Sequence, residues 1–269
     1  MFMPLVSVVL ATFEQPNALA FALLGYGRQS FKDFEVVVAD DGSGPATRKI
    51  VDEFRALGSF PLKHVRQENA GFRRAKITNE GIRASSGRVI LISDGDCVPH
   101  RDFVRAHAEA CAPGAFCAGG YVRLNPDQSR ALTRENVAAG DYEAACTPAE
   151  LRRFRWTHWK NRWALLFGRL RKPKVYGCNL SADRDVLYAV NGLDENFDGF
   201  GKEDSDLRNR LRRHGARPVS LWGKAWVYHV EDVVDPACRE RRIPRGDPYP
   251  YYDRPDVPVR AVNGLVKAP

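Results

Sequence analysis

The chain has 269 residues, 44% of them apolar and 28% charged, which suits one large α/β domain with or without a small appendage. No apolar run reaches the ~18–20 residues of a membrane span, and the apolar start MFMPLVSVVLAT has no basic leader, so it reads as a strand and not as a signal peptide. The net charge is +8, but residues 151–174 hold nine of the 41 basic residues and no acid, and without them the chain stands at −1. That is a local basic patch and not a nucleic-acid-binding surface. Six cysteines (Cys97, Cys111, Cys117, Cys146, Cys178, Cys238) form no CxxC pair, which argues against a zinc ribbon or a disulfide framework and for a reducing cytoplasm.

In chain order, a strand is predicted at 5–11 (LVSVVLA), a helix near 17–29, a strand at 34–39 (FEVVVA) and a helix near 44–57. A weaker strand at 61–66, a helix near 72–85 and a strand at 89–93 (VILIS) follow. The strands are β-branched and do not alternate cleanly, as expected when both faces are buried. The alternation of strand and helix predicts a mostly parallel sheet with helices on both faces. Gly25-Tyr26-Gly27 is no dinucleotide fingerprint, because it ends a helix and Ser30 stands where the third glycine belongs.

Farther on, 115–124 reads as one strand and 148–170 as a long basic, aromatic helix. A turn and short helix are expected at 179–192, then a Gly/Asp-rich loop to 202. A helix at 203–214 is closed by Gly215, with strands at 217–221 and 225–230. The Pro-, Tyr- and Arg-rich stretch 235–269 is expected to be irregular.

The strand ends carry the chemistry. Open α/β sheets bind ligands at the carboxyl ends of their strands. Here those ends read Thr12-Phe13-Glu14, Asp40-Asp41-Gly42-Ser43 and Asp94-Gly95-Asp96. Any one is an ordinary polar turn, but three on one sheet edge are a candidate site. Asp94 and Asp96, brought together by Gly95, are hard oxygen ligands suited to Mg²⁺ or Mn²⁺.

The stretches VSVVLATFE, FEVVVADDGS, NAGFRRAKITNEGI, GRVILISDGDCVP and VNGLDENFDGFGKEDSDLRNRL, in this order, resemble family 2 inverting glycosyltransferases that use nucleotide sugars. The last also resembles a segment of β-1,4-galactosyltransferases and of bacterial chondroitin-type polymerases. The resemblance implies a single GT-A-type domain with a mixed, mostly parallel sheet over 1–234. Its nucleotide-sugar half would be 1–125 and its acceptor half 126–234, with 235–269 as a tail. It implies that Thr12, Phe13 and Glu14 hold base and ribose, and that Asp41 accepts a hydrogen bond from the base N–H. Uracil is favoured by the resemblance alone.

Gly71, Arg73 and Lys76 would lie near the diphosphate, with Arg74 as the alternative to Arg73. Asp94 and Gly95 would serve the nucleotide sugar. Asp96 would bind Mn²⁺ or Mg²⁺ with His229, His100 being the fallback. Asp204 would be the general base, and Glu203 and Phe200 would bind the acceptor, a glycan or a lipid-linked sugar. This scheme requires Asp96 and Asp204 to face one cleft. The competing enzyme class, a sugar-phosphate nucleotidyltransferase, needs a Gly-rich basic loop after the first strand, which TFEQPNA is not. A non-catalytic sugar-binding relative would not need Asp96 and Asp204 together.

The helix within 151–174 places Trp156, Trp159, Trp163, Leu166 or Phe167, and Leu170 on one stripe. The favoured expectation packs this stripe against the sheet. The other docks it on an anionic membrane, as a peripheral cytoplasmic enzyme would.

Overall fold

The structure is a computed structural model and describes residues 4–169, 172–197, 199, 201–231, 249–252 and 254–267. The chain lays down β1 (Val6–Thr12), α1 (Pro16–Gly27), β2 (Phe34–Asp40), α2 (Pro45–Leu57), β3 (Leu62–Arg66), α3 (Arg74–Ala84) and β4 (Val89–Asp94). Next come β5 (Cys97–Pro99), α4 (Phe103–Ala110), β6 (Ala115–Ala118) and β7 (Gly120–Arg123). Two short helices, α5 (Pro126–Arg130) and α6 (Arg134–Ala139), lead to the long α7 (Pro148–Leu166). The remaining elements are a 3-10 turn at Asp141–Ala145, which precedes α7, then β8 (Leu180–Asp183), α8 (Arg184–Ala189), α9 (Glu203–His214), β9 (Arg217–Ser220), β10 (Trp226–His229) and α10 (Tyr249–Tyr252).

Seven strands form one mixed sheet in the order β3-β2-β1-β4-β8-β6-β9, and β5-β10-β7 form a second. β1, β2, β3 and β4 run parallel, while β8 is antiparallel to both β4 and β6. Period two assigns the strand residues to two cores. Val8, Leu10, Val36, Val38 and Leu91 pack with Leu19, Leu23, Val51 and Phe54 of α1 and α2. Val9, Ala39, Ile90 and Ile92 pack with Ile77, Leu187, Leu207 and Leu211 of α3, α8 and α9. Both faces are covered, so polar residues have little place in these strands. The chain moves outward from β1 to β3 and returns to β4 on the other side of β1. This reversal opens a crevice at the strand ends.

Two expectations need correction. The stretch 115–124 is not one strand: it breaks at Gly119, with β6 in the large sheet and β7 in the small one. At the break the Asn179 amide donates to the Gly120 and Ala225 carbonyls (2.7 and 3.1 Å), occupying the space a continuous strand would cross. The long helix forms, but its tryptophans do not pack on the sheet. Phe154 and Asn161 are its buried residues, and Trp156, Trp159 and Trp163 are each more than half exposed. Leu170 lies outside the described residues.

The stretch after residue 234 is not wholly irregular where described, since Tyr249–Tyr252 form a short helix, and part of it belongs to the domain. Ala261 and Leu265 are buried, and Leu265 joins the core under α8 and α9. Asn191 holds this segment: its amide donates to the Ala261 carbonyl (2.8 Å), and its Oδ1 accepts the Val266 N–H (2.7 Å).

Candidate active site

A cleft of about 460 Å³ lies at the carboxyl ends of β1, β2 and β4. On the β1–β2 side it is walled by Thr12, Phe13, Gln15 and Asp41. Asp41 is buried and accepts the Arg73 backbone N–H (2.9 Å) and the Gln67 amide (2.5 Å). Burial raises its pKa against these two hydrogen bonds. Its neighbour Asp40 is a structural group. It accepts the Ser43 N–H (2.8 Å) and faces His64 Nε2 (3.2 Å). Burial would raise the Asp40 pKa, but the His64 and Ser43 hydrogen bonds outweigh it and lower it.

The Asp94-Gly95-Asp96 turn is pressed onto β1. Gly95 N–H donates to the Ala11 carbonyl at 2.7 Å, and a Cβ at residue 95 would lie 2.8 Å from Thr12 Oγ1. Only glycine allows this approach, and it sets both carboxylates in the cleft wall. Asp96 Oδ2 lies 3.8 Å from His229 Nε2, delivered by β10 of the second sheet. With Cys97 Sγ these ligand atoms all fall within 4.8 Å of one another. Burial drives the Cys97 pKa well above the usual thiol range, so it stays a neutral thiol. His229 Nδ1 is buried without a hydrogen-bond partner. One carboxylate and one imidazole at this separation fit a divalent cation.

The floor of the cleft is a buried ionic bridge. Arg74, at the start of α3, donates to Asp94 Oδ1 from Nε (3.1 Å) and Nη2 (2.5 Å), and to Glu203 Oε1 from Nη1 (3.1 Å). Burial alone would lower its pKa, but Asp94, Glu203 and Asp204 outweigh this and keep it cationic. Gly177 makes room for it: a Cβ there would fall 2.6 Å from Nη2.

Across the bridge stand Glu203 and Asp204, the first residues of α9. Glu203 is 7% exposed, and its Oε2 is buried with no hydrogen-bond partner. Burial raises its pKa, the Asp204 charge adds to this, and Arg74 opposes it. Asp204 lines the cleft and accepts its neighbour's Ser205 N–H at 2.5 Å. Asp96 and Asp204 therefore face the same cavity.

A family model described as glycosyl transferase family 2 matches residues 7–173, and one described as the N-terminal domain of galactosyltransferase matches 157–231. The chain belongs to glycosyl transferase family 2. It is 31% identical over 237 residues to validoxylamine A glucosyltransferase of Streptomyces hygroscopicus subsp. jinggangensis, covering 83% of this chain and 54% of that one. It is 28% identical over 243 residues to chondroitin synthase of Escherichia coli, covering 84% of this chain and 34% of that one. The chain thus spans about half, or less, of these relatives. Among solved structures, the mannosyltransferase PcManGT from Pyrobaculum calidifontis, in complex with GDP-Man and Mn²⁺, superimposes with a TM-score of 0.62 at 20% identity, over 88% of this chain and 60% of that one. S. aureus TarS in complex with UDP-GlcNAc gives 0.56 at 18% identity, over 86% and 59%. These two share the fold.

Within this family 2 domain, Thr12, Phe13, Asp41, Asp94, Asp96, Glu203, Asp204 and His229 all line the cleft, and Gly95 shapes the turn beneath it. Other expected residues fall elsewhere. Glu14 is outside the lining. Its φ of 51° turns the carboxylate to the Gly44 N–H (2.8 Å) at the start of α2, and Gln15 lines the cleft instead. Arg73 gives the cleft no side chain, as its guanidinium turns to the Glu68 carbonyl, and Arg74 takes the position. Gly71, with φ 88°, and Lys76 are also outside the lining, where Phe72 appears. His100 packs at a tilt on Trp226 (4.0 Å between centroids) and faces Glu143, outside the cleft lining. Phe200 lies outside the described residues.

Tyr121, Arg123 and Tyr176 complete the wall without having been anticipated. Tyr121 meets Tyr176 edge-on at 4.9 Å and lies 6.1 Å from the His229 ring. Their signal was the two-residue spacing of Tyr121 and Arg123 on one face of β7, legible only once β7 is known to leave the large sheet.

Proposed function

We propose that the chain transfers a sugar, with inversion, from a nucleoside diphosphate sugar to a hydroxyl of a glycan or lipid-linked acceptor in surface polysaccharide synthesis. UDP is the favoured carrier. The observation that carries this reading is the Arg74 bridge, which ties Asp94 on the strand-end side to Glu203 on the α9 side of one cleft. The TarS and PcManGT structures, bound to UDP-GlcNAc and GDP-Man, support the donor class.

The base enters between Thr12, Phe13 and Asp41, where the Asp41 carboxylate accepts its ring N–H. Asp96 and His229 would hold a divalent cation, and an imidazole in the set favours Mn²⁺ over Mg²⁺. When bound, the cation would supply charge neutralisation for the diphosphate. Glu203 accepts a hydrogen bond from the acceptor sugar at its unpartnered Oε2. Asp204 takes the proton of the attacking hydroxyl as its oxygen bonds the anomeric carbon and the bond to the diphosphate oxygen breaks. One displacement from the opposite face inverts the configuration. The free cysteines among the described residues agree with a reducing, cytoplasmic setting.

A thermal-shift screen of nucleotides and nucleotide sugars, with and without Mn²⁺, tests the donor site. Stabilisation by one nucleoside diphosphate that requires metal is the expected result. No response to any diphosphate in either condition would sink the proposal.

A further inference from the structure

α7 has two faces of different kinds. Inward, Phe154 packs against Trp222 and Trp226 (5.5 and 6.0 Å between centroids), and the Asn161 amide donates to Ser220 Oγ at 3.2 Å. Outward, Trp156, Trp159, Trp163, Leu166 and Phe167 recur three and four residues apart, at 63, 55, 53, 76 and 74% exposure. At 3.6 residues per turn this stripe is bordered by Arg155 and Arg162 on one side and Arg153 and Lys160 on the other. Lys160 Nζ lies 5.1 Å from the Trp156 ring and the Arg162 guanidinium 6.0 Å from that of Trp159. Contiguous exposed apolar surface of this kind marks an interaction site.

We propose that α7 is an interfacial helix that docks this domain on an anionic lipid bilayer. The stripe enters the headgroup–acyl boundary, and the flanking cations pair with lipid phosphates while their stems cover apolar surface. Charge complementarity selects this occupant, since 151–174 carries nine Lys/Arg and no acid. A second copy of the helix would bring like-charged rows together. Trp159 and Trp163 (26° between planes, 6.5 Å between centroids) and Trp163 and Phe167 (19°, 6.2 Å) run as one nearly parallel row of rings.

The docking face is tied to the cleft. Phe154 touches Trp222, and Trp222 lies 6.0 Å from the cleft-lining Tyr176. Docking would hold the cleft beside the lipid surface, where a lipid-linked acceptor presents its sugar. That consequence rests on the proposed reaction, whereas the docking does not, and its test reads binding and not turnover.

The test is co-sedimentation of the full chain with vesicles of phosphatidylcholine alone and of an equimolar mixture with phosphatidylglycerol. Binding to the mixed vesicles only, weakened by high salt and accompanied by a blue shift of tryptophan fluorescence, is expected. Arg155→Ser with Arg162→Ser should weaken partitioning roughly 25-fold, about fivefold per cation. Trp159→Ser, Trp163→Ser and Phe167→Ser together should abolish it, with an unchanged circular dichroism spectrum and unfolding midpoint, because these side chains are exposed. Absence of binding to anionic vesicles overturns the proposal, and so does binding that survives the triple aromatic change. A vesicle-independent dimer removed by the triple change would make the stripe a self-interface, and retention of anionic polysaccharide without vesicle binding would make it a glycan surface. Either outcome overturns lipid docking.

Discussion

Arg74 Nη1 and Glu203 Oε1, 129 positions apart in sequence, meet at 3.1 Å beneath the cleft. The same guanidinium holds Asp94 at 2.5 Å, so one buried cation fixes the spacing of two carboxylates on opposite walls. Arg74→Ala would leave both without their countercharge. The expected loss is about 3 kcal/mol of stability, read by denaturant unfolding, together with roughly 10²–10³ in kcat/KM. Arg74→Lys keeps the charge but not the fork, and should recover stability more than rate.

Asp204→Asn keeps the shape and removes the base. Transfer should fall by roughly 10²–10⁴ while nucleotide affinity, measured by calorimetry with Mn²⁺, stays near the parent value. Asp96→Ala should give the converse pattern and lose metal-dependent nucleotide binding. Full turnover in the Asp204→Asn protein would remove that residue from the base role.

Glu203 yields a pH prediction. Its folded-state pKa is raised above the ordinary 4.5, first by burial. Between the unfolded and the folded value the folded protein holds the extra proton, so stability falls as pH rises through that window. Below pH 4.5 both states are protonated and the slope vanishes. Unfolding midpoints of the parent and Glu203→Gln, followed upward from pH 4.5, should diverge, with the parent losing ground. Parallel curves would show that Glu203 ionises as an ordinary carboxyl.

Gly177→Ala puts a methyl group 2.6 Å from Arg74 Nη2. Overpacking at a rigid, bridged side chain should cost about 1–3 kcal/mol and lower turnover, since it displaces Arg74 in the cleft wall. Steady-state kinetics that separate donor KM from kcat read this directly.

The site was legible where local chemistry fixes the direction of a side chain. Thr12, Asp41, Asp94 and Asp96 end buried parallel strands, and such ends point into the crevice whatever the rest of the chain does. Glu203 and Asp204 were indicated by the resemblance of VNGLDENFDGFGKEDSDLRNRL to the family, since two acids at a helix start are by themselves ordinary macrodipole partners. Arg73 and Arg74 were not separable, because adjacent residues at a helix start point about 100° apart and only the helix register decides between them. Tyr121 and Arg123 were hidden by reading 115–124 as one strand: Gly119-Gly120 marks the break, but the Asn179 side chain that a Cβ at Gly119 would strike comes from far along the chain. The tryptophan stripe was assigned to the wrong side for a related reason. Apolar periodicity shows that a helix has a greasy face but not which neighbour it meets, and α7 rests on β9 through Asn161 and on Trp222 and Trp226 through Phe154. Leu265, far along the chain, completes the core under α8 and α9, a contact that no local pattern announces.

The clamp at Asn191 bears on how the domain is born. Asn191 begins the stretch leading to Glu203, and four of its polar contacts are to residues 261–266: the Ala261 and Val266 carbonyls and the Leu265 and Val266 amides. On the ribosome, the strands that shape the nucleotide side can pair long before residues 261–266 have emerged. The segment that leads to Glu203 and Asp204 would gain its fastening only afterwards, so in a nascent chain the β1–β4 wall of the cleft would form before the wall that carries those two carboxylates.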